Sequence, residues 1–475
     1  MLTKLIGGGD KIESNGSSAE HIYSPVGDVE GKELLFGNYP TDDSAHHSHY
    51  TKTDKESSIA ACYFALANTI MGAGTLGLPF AVSNTGYVLG SVLLCVSGLA
   101  SSFALHCLSL CALKLPYPSS FYRVASTALP HSEKLIDLAV ILKCFGVATS
   151  YLIVIGGLMP DAMKDIYGSS EGNAKSVFES RLLWVSVGFV MVTPLSFFQQ
   201  LGALRYTSFF SILFLLFLAL LVVLFAAKVS GMDPCQDTDD NEVCTGSRVN
   251  AQLTLESMRV FSIFIFGFTC HQNMFTIVNE LQAVSIARCN RVILYAIGTA
   301  LTVYLVIANC GYYTYGDQVE SNILQSYPKL PVVSLARIFV SLLVCFTYPL
   351  QCNPARRCVM TLLADVLRDK DKEPEELQHA VMVRYTAVTT VFLGLSFVIA
   401  LSVEDLGLML SLVGATGSTL VSYILPGFCY YFLFRNEGPV WKRRLALLQG
   451  CVGVCLVPIC LTFIFVSACV SCLYA

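Results

Sequence analysis

Eleven apolar stretches recur along the chain, each set off by a short polar run. A helix needs about 20 apolar residues to cross the hydrocarbon of a bilayer. The stretches are therefore read as membrane spans at 59–85, 87–113, 134–158, 181–198, 206–229, 256–284, 291–313, 332–353, 381–402, 405–434 and 445–472. Met159-Pro160 is read as the end of span three, and Asp161 to Ser180 as a polar loop. Ser119 to Leu129 alternates as an amphipathic piece at the interface. Arg356 to His379 carries Asp369-Lys-Asp-Lys-Glu-Pro-Glu-Glu376 and is placed outside lipid.

Two spans break their own pattern. Span one contains Asn68-Thr-Ile-Met-Gly-Ala-Gly-Thr-Leu-Gly-Leu-Pro79, three glycines with an asparagine and a proline. Glycine adopts backbone angles that other residues avoid, and proline lacks an N–H. Span six, Phe261 to Glu280, is again polar and glycine-containing from Gly267 to Asn273. Unwound backbone at membrane depth is tolerated only where protein or a wet cavity surrounds it. The two breaks lie five spans apart. Five is odd, so the second five-span unit starts on the opposite side of the membrane from the first. The pattern predicts an all-α polytopic membrane protein with a five-plus-five inverted repeat and broken helices one and six. Its parts are a disordered cytosolic tail (1–58), a core (59–434, divided into 59–229 and 256–434) and an eleventh helix with the C-terminus (435–475).

Composition agrees. The chain is 54% hydrophobic and 13% charged, where soluble domains carry about 25% charged residues. With the N-terminus cytosolic, inner loops hold fifteen Lys and Arg and outer loops six, the expected bias. No cleavable signal peptide is visible in 1–58. The sequon at Asn15 lies in that tail and is inert by location. His46, His47 and His49 there read as solvated low-complexity sequence. Most of the 19 cysteines sit in apolar runs as packing residues. Cys235 and Cys244 differ: they share the outer loop between spans five and six, where a disulfide is expected if the compartment is oxidising. Lipid and a small solute are the implied partners, not nucleic acid.

The breaks expose N–H groups at half-helix starts and C=O groups at half-helix ends. A zwitterionic amino acid suits that arrangement. Met71, Gly72, Ala73, Gly74 and Thr75 form the expected substrate contact in span one, and Gly267, Phe268 and His271 that in span six. Tyr151 on span three and Phe268 are the expected side-chain walls. Charged residues within spans are functional candidates, which singles out Lys143 and Glu280 as a gating or charge pair. His271 is also a candidate proton site. No nucleophile, paired carboxylate or metal cluster marks an enzyme, and no cofactor is implied.

The span-one motif resembles the first-helix signature of the amino acid/auxin permease family, above all its sodium-coupled neutral amino acid transporter branch. Thr193-Pro-Leu-Ser-Phe197, Cys270-His271 with Asn279-Glu280-Leu281, Gly316-Asp-Gln-Val-Glu-Ser-Asn-Ile-Leu324 and Thr347-Tyr-Pro-Leu-Gln-Cys-Asn-Pro354 are similar to further stations of the same family. The resemblance runs from about Ser57 to the C-terminus and implies a LeuT-like fold with alternating access. It also implies a sodium site at Asn68 and Thr347. Leu78-Pro79 is similar as well to proton-coupled and vacuolar branches, and Thr75 stands where an aliphatic residue is usual. The expectation is sodium symport of neutral amino acids at the plasma membrane or a lysosomal or vacuolar membrane. The alternatives are a proton-coupled organellar transporter, and an amino acid sensor whose tail docks a cytosolic partner.

Overall fold

The computed structural model describes residues 57–117, 119–130, 132–167, 177–197, 205–236, 244–367 and 374–474. The tail expected at 1–58 thus lies outside the described residues save for its last two. Among the described residues the chain is helical, apart from one isolated bridge between Ser57 and Leu281. Eight single helices are long and apolar enough to cross a membrane, and a bent pair in span one makes a ninth. The shorter apolar helices Arg181–Ser196 and Ser211–Ala226 stand where spans four and five are expected.

Span one is Ile59–Ile70 followed by Ala73–Ser83, bent by 45°. Span two is Tyr87–Lys114, the amphipathic piece is Phe121–Ala128, and span three is Glu133–Tyr167. Span three does not end at Met159-Pro160. It continues through Pro160, so Asp161 to Tyr167 is helix where a loop is expected. Proline removes one backbone bond, and packed neighbours in a membrane bundle can absorb that loss. Spans six, seven and eight are Leu255–Glu280 (interrupted), Ile286–Tyr315 and Pro331–Val366. Span eight, which contains Pro349, also runs past its expected end at residue 353, through Pro354. The extension keeps Arg356 inside the protein, where it donates to Ser196 O and Thr389 Oγ1 and lies over the Tyr385 ring. Spans nine and eleven are Pro374–Ser402 and Val440–Tyr474. Span ten, Leu406–Leu433, contains two wide π turns, Gly414–Ser418 and Leu420–Ile424. Such turns cluster at functional sites.

Spans three and eight form the most extensive helix pair, with the interrupted spans one and six beside them. Span ten reaches span three through glycine. A Cβ at Gly417 would lie 2.5 Å from the Lys143 backbone nitrogen, and one at Gly146 would strike a Val413 methyl.

The two faces of the bundle differ. At the face bearing Ser57, the half-helices of spans one and six are tied together. Ser57 N donates to Glu280 O at 2.8 Å there, and at the level of the breaks Asn273 Nδ2 donates to Thr69 Oγ1 at 2.6 Å. At the opposite face, the segment after Cys244 crosses the ends of spans one and seven. Tyr87 N and Val88 N donate to Val249 O and Asn250 O, and Gly246 N donates to Tyr315 O. Gly86 turns there at φ 83°, and a Cβ would strike Asn250 backbone at 2.8 Å. Ser247 donates to Asp317 through both its hydroxyl and its N–H, which holds that carboxyl below its ordinary range. Arg259 bridges Glu256 and Asp405, and Arg337 pairs with Asp165 in full burial. These contacts join the segment after Cys244, and spans one, three, six, seven, eight and ten, across this face.

Cys235 and Cys244 are disulfide-bonded, their Cα atoms 5.6 Å apart. Both should resist mass-tagged maleimide until a reductant is added. Labelling before reduction would show two free thiols.

Candidate functional site

Span one stops at Ile70 because its next residues bond backwards. Met71 N reaches Ala67 O, and Gly72 N folds onto Ile70 O at 3.0 Å. Gly72 is extended (φ −111°, ψ −151°), after which the chain re-enters as a tight turn, Ala73–Gly77, and the helix Leu78–Ser83. Pro79 sits in that helix's first turn, where an N–H is unneeded. Gly74 faces span six so closely that a Cβ would lie 2.7 Å from the Phe266 ring.

Span six breaks in the same manner. Its helix ends at Gly267, and Phe268 N and Thr269 N bond back to Ile265 O and Phe266 O. A tight turn, His271–Asn273, then leads into Met274–Glu280. The two interruptions meet at one hydroxyl. Tyr304 on span seven lies 2.7 Å from Ile70 O and 2.8 Å from Gly267 O, the carbonyls released by the two helix ends. A hydroxyl has a single hydrogen, so two acceptors share it. Tyr304 is missing from the sequence reading, because a tyrosine in an apolar run carries no signal until its partners are known.

Two adjoining cavities open from the span-one break and share Gly72, Ala73 and Tyr151. The first reaches Asn68, Met71 and Thr75, with Thr347 on span eight. Asn68 and Thr347 thus meet on one cavity wall. The remainder of that wall is apolar, with Phe214 and Leu218 of span five and Val340 and Val344 of span eight. The Thr347 hydroxyl donates back to Leu343 O at 3.0 Å. Thr75 is fully buried, and its hydroxyl has no hydrogen-bond partner. The second cavity reaches Gly74, Lys143, Phe266, Thr269 and Gln351.

The expected span-six contacts fall elsewhere. Gly267 and Phe268 line neither cavity. Gly267 gives its carbonyl to Tyr304, and the Phe268 ring packs edge-on against that tyrosine, 5.2 Å between centroids. Phe266 and Thr269 take their place, a shift of register that apolar sequence leaves open. His271 is fully buried in the turn, and neither ring nitrogen has a partner. It too stands apart from both cavities.

Lys143 and Glu280 are not a pair. Lys143 Nζ donates to Gln351 Oε1 at 3.2 Å and is 3% exposed, so it does not reach out to the surface. Glu280 ends span six at the Ser57 face. The distance along span six explains the separation: Lys143 stands at the level of the break, and Glu280 two turns beyond it.

The site is a pair of small cavities lined by backbone groups, Tyr151 on span three, Phe214 and Phe266, hydroxyls and a buried amine. The residues lining the two cavities include no carboxylate.

The family model described as transmembrane amino acid transporter protein matches residues 55–471. Vacuolar amino acid transporter 5 of Schizosaccharomyces pombe is 34% identical, the match covering 77% of this chain and 82% of that one. Vacuolar amino acid transporter 6 of Saccharomyces cerevisiae is 30% identical, covering 80% and 91%. Among solved structures, inward-facing Mhp1 is similar with a TM-score of 0.56 at 14% identity, covering 87% of this chain and 92% of that one. MhsT in complex with L-phenylalanine is similar with a TM-score of 0.52 at 10% identity, covering 86% and 99%. These two likenesses concern the LeuT-like fold.

Proposed function

The chain belongs to the transmembrane amino acid transporter family, and from that premise we propose that it carries neutral amino acids across a vacuole-type membrane by alternating access. The observation that supports this most is the convergence of the two breaks on Tyr304, beside a chamber walled by Gly72–Gly74, Tyr151 and Phe266. The substrate's carboxylate would lie toward the backbone of Gly72–Gly74 and its apolar side chain toward Val147 and Phe266. The Ser57 face is proposed to be cytosolic and the disulfide face luminal, which agrees with the excess of Lys and Arg near the Ser57 face.

The proton is proposed as the coupling ion, because relatives at 30–34% identity are named as vacuolar transporters and vacuoles are acidic. Sodium symport is a second reading, favoured by the meeting of Asn68 and Thr347. Oxygen donors of that kind suit a hard cation, but the apolar remainder of the wall offers it few more.

Purified protein in proteoliposomes decides between them. A proton gradient alone should drive uptake of labelled neutral amino acids, and a sodium gradient alone should not. Sodium-driven uptake that Asn68→Ala abolishes would reverse the assignment. Absence of flux under both gradients, with amino acid binding retained, would favour a sensor.

A further inference from the structure

Lys143 is the one charged side chain on the walls of the two cavities. It stands on span three, 3% exposed, in the same cavity as Gly72–Gly74. An ammonium has three N–H donors. Here one acceptor meets them, the neutral amide oxygen of Gln351 at 3.2 Å. No carboxylate pairs with Lys143 among the described residues. A buried charge with few partners is costly, and two buried arginines among the described residues are met more fully. Arg337 has Asp165 and two carbonyls, while Arg356 has a carbonyl, a hydroxyl, an amide and an aromatic face.

Lys143 is also held in place. Gly417 of the span-ten π turn lies so close that any side chain there would strike the Lys143 backbone, and Gln351 fixes the amine at its other end. A lysine held at both ends, on a cavity wall and short of acceptors, is arranged to meet an anion that arrives from outside.

We infer that Lys143 Nζ is the carboxylate-recognition group of this site, pairing with a carboxylate of the bound amino acid across from Gly72–Gly74. This rests on the amino acid reading proposed above and deepens it. Whether the amine is an ammonium in the empty site or gains its proton with the ligand, the bound state is an ammonium–carboxylate pair. Gln351 is the positioning residue that keeps Nζ at the cavity wall. The carboxylate could be the α-carboxylate common to all amino acids or the side-chain carboxylate of an acidic one.

The test uses ligand-induced thermal stabilisation of the full-length purified protein, which needs no transport. The probes are leucine against leucinamide and glutamate against glutamine, each pair differing by one carboxylate. Wild type should favour the carboxylate form of a pair by ~10- to 100-fold, the range of one charge-assisted hydrogen bond. Lys143→Met should erase that preference while leaving the amide's own affinity within about threefold, and Lys143→Arg should keep most of it. Loss within the leucine pair assigns the α-carboxylate, and loss confined to the glutamate pair assigns the side chain. A Lys143→Met protein that is less stable but keeps the wild-type preference makes Lys143 a brace for Gln351 and overturns the inference. If Lys143→Met does not fold, Gln351→Leu serves in its place, since it should weaken the preference by displacing the amine. An unchanged preference in that variant also overturns the inference. Wild type that answers to none of the twenty amino acids would instead fail the function reading itself.

Discussion

Gly72→Val is expected to abolish amino acid uptake while the protein still folds and reaches its membrane. Gly72 has extended backbone angles that a β-branched residue adopts without strain. The change therefore acts through volume. A Cβ at this position would lie 3.5 Å from the Tyr151 hydroxyl, in ordinary contact. The valine methyls beyond it enter the space shared by both cavities. Overpacking costs about 1–3 kcal/mol, or ~5- to 150-fold in affinity, and here it falls on the ligand's own volume. Gly72→Ala should keep measurable uptake with a raised KM. Uptake by Gly72→Val at wild-type KM would mean that the substrate passes elsewhere.

The second large effect concerns stability. Arg337→Met should lower the melting temperature more than any other single change at the disulfide face. Arg337 and Asp165 have side chains 4% and 5% exposed and lie 2.5 Å apart. Ser334 also donates to Asp165, and Arg337 donates to the carbonyls of Leu324 and Tyr327. Removing one partner from a buried pair costs about 3–5 kcal/mol, because the other charge is stranded. Asp165→Leu should cost a similar amount. Arg337→Met with Asp165→Leu should recover part of the loss, since no stranded charge is left. Additive losses would show that the guanidinium acts through Leu324 and Tyr327 alone. The pair ties span three to the start of span eight.

Much of the fold is legible in the sequence because lipid enforces simple rules. Apolar length gives the spans, and a polar, glycine-bearing run within a span gives a break. Both breaks fall where Gly72 and Gly267 place them. Prolines were the weaker guide. Pro160, read as a helix end, lies inside span three, and Pro354, just past the expected end of span eight, lies inside that span as Pro349 does. Packed neighbours supply what each ring removes, and no local pattern reports the neighbours. The misplaced end of span three put Asp165 in a loop and so hid its partnership with Arg337.

The site was legible in part for the same reason. Residues that act through backbone at the span-one break, Gly72 to Thr75, could be read from type and order. Residues that act by facing a neighbour could not. Tyr304, Gln351, Phe266 and Thr269 needed the packing of spans three, seven and eight to acquire a role. Lys143 was conspicuous as a charge in an apolar run, but its partner was not. A charge is visible in sequence, whereas an amide partner on a distant helix is one polar residue among many. The π turns of span ten were also unread, since Gly414 and Gly417 resemble any small-residue packing face until they are seen against Ser262 and Lys143.

The central claim is that an amino acid binds between the breaks of spans one and six. A structure of the protein with a saturating transported amino acid tests it most directly. The account predicts ligand density in the cavity bounded by Gly72–Gly74, Tyr151 and Phe266, its carboxylate toward Gly72 and Lys143. Density at any other place, with that cavity empty or filled by side chains, would contradict it.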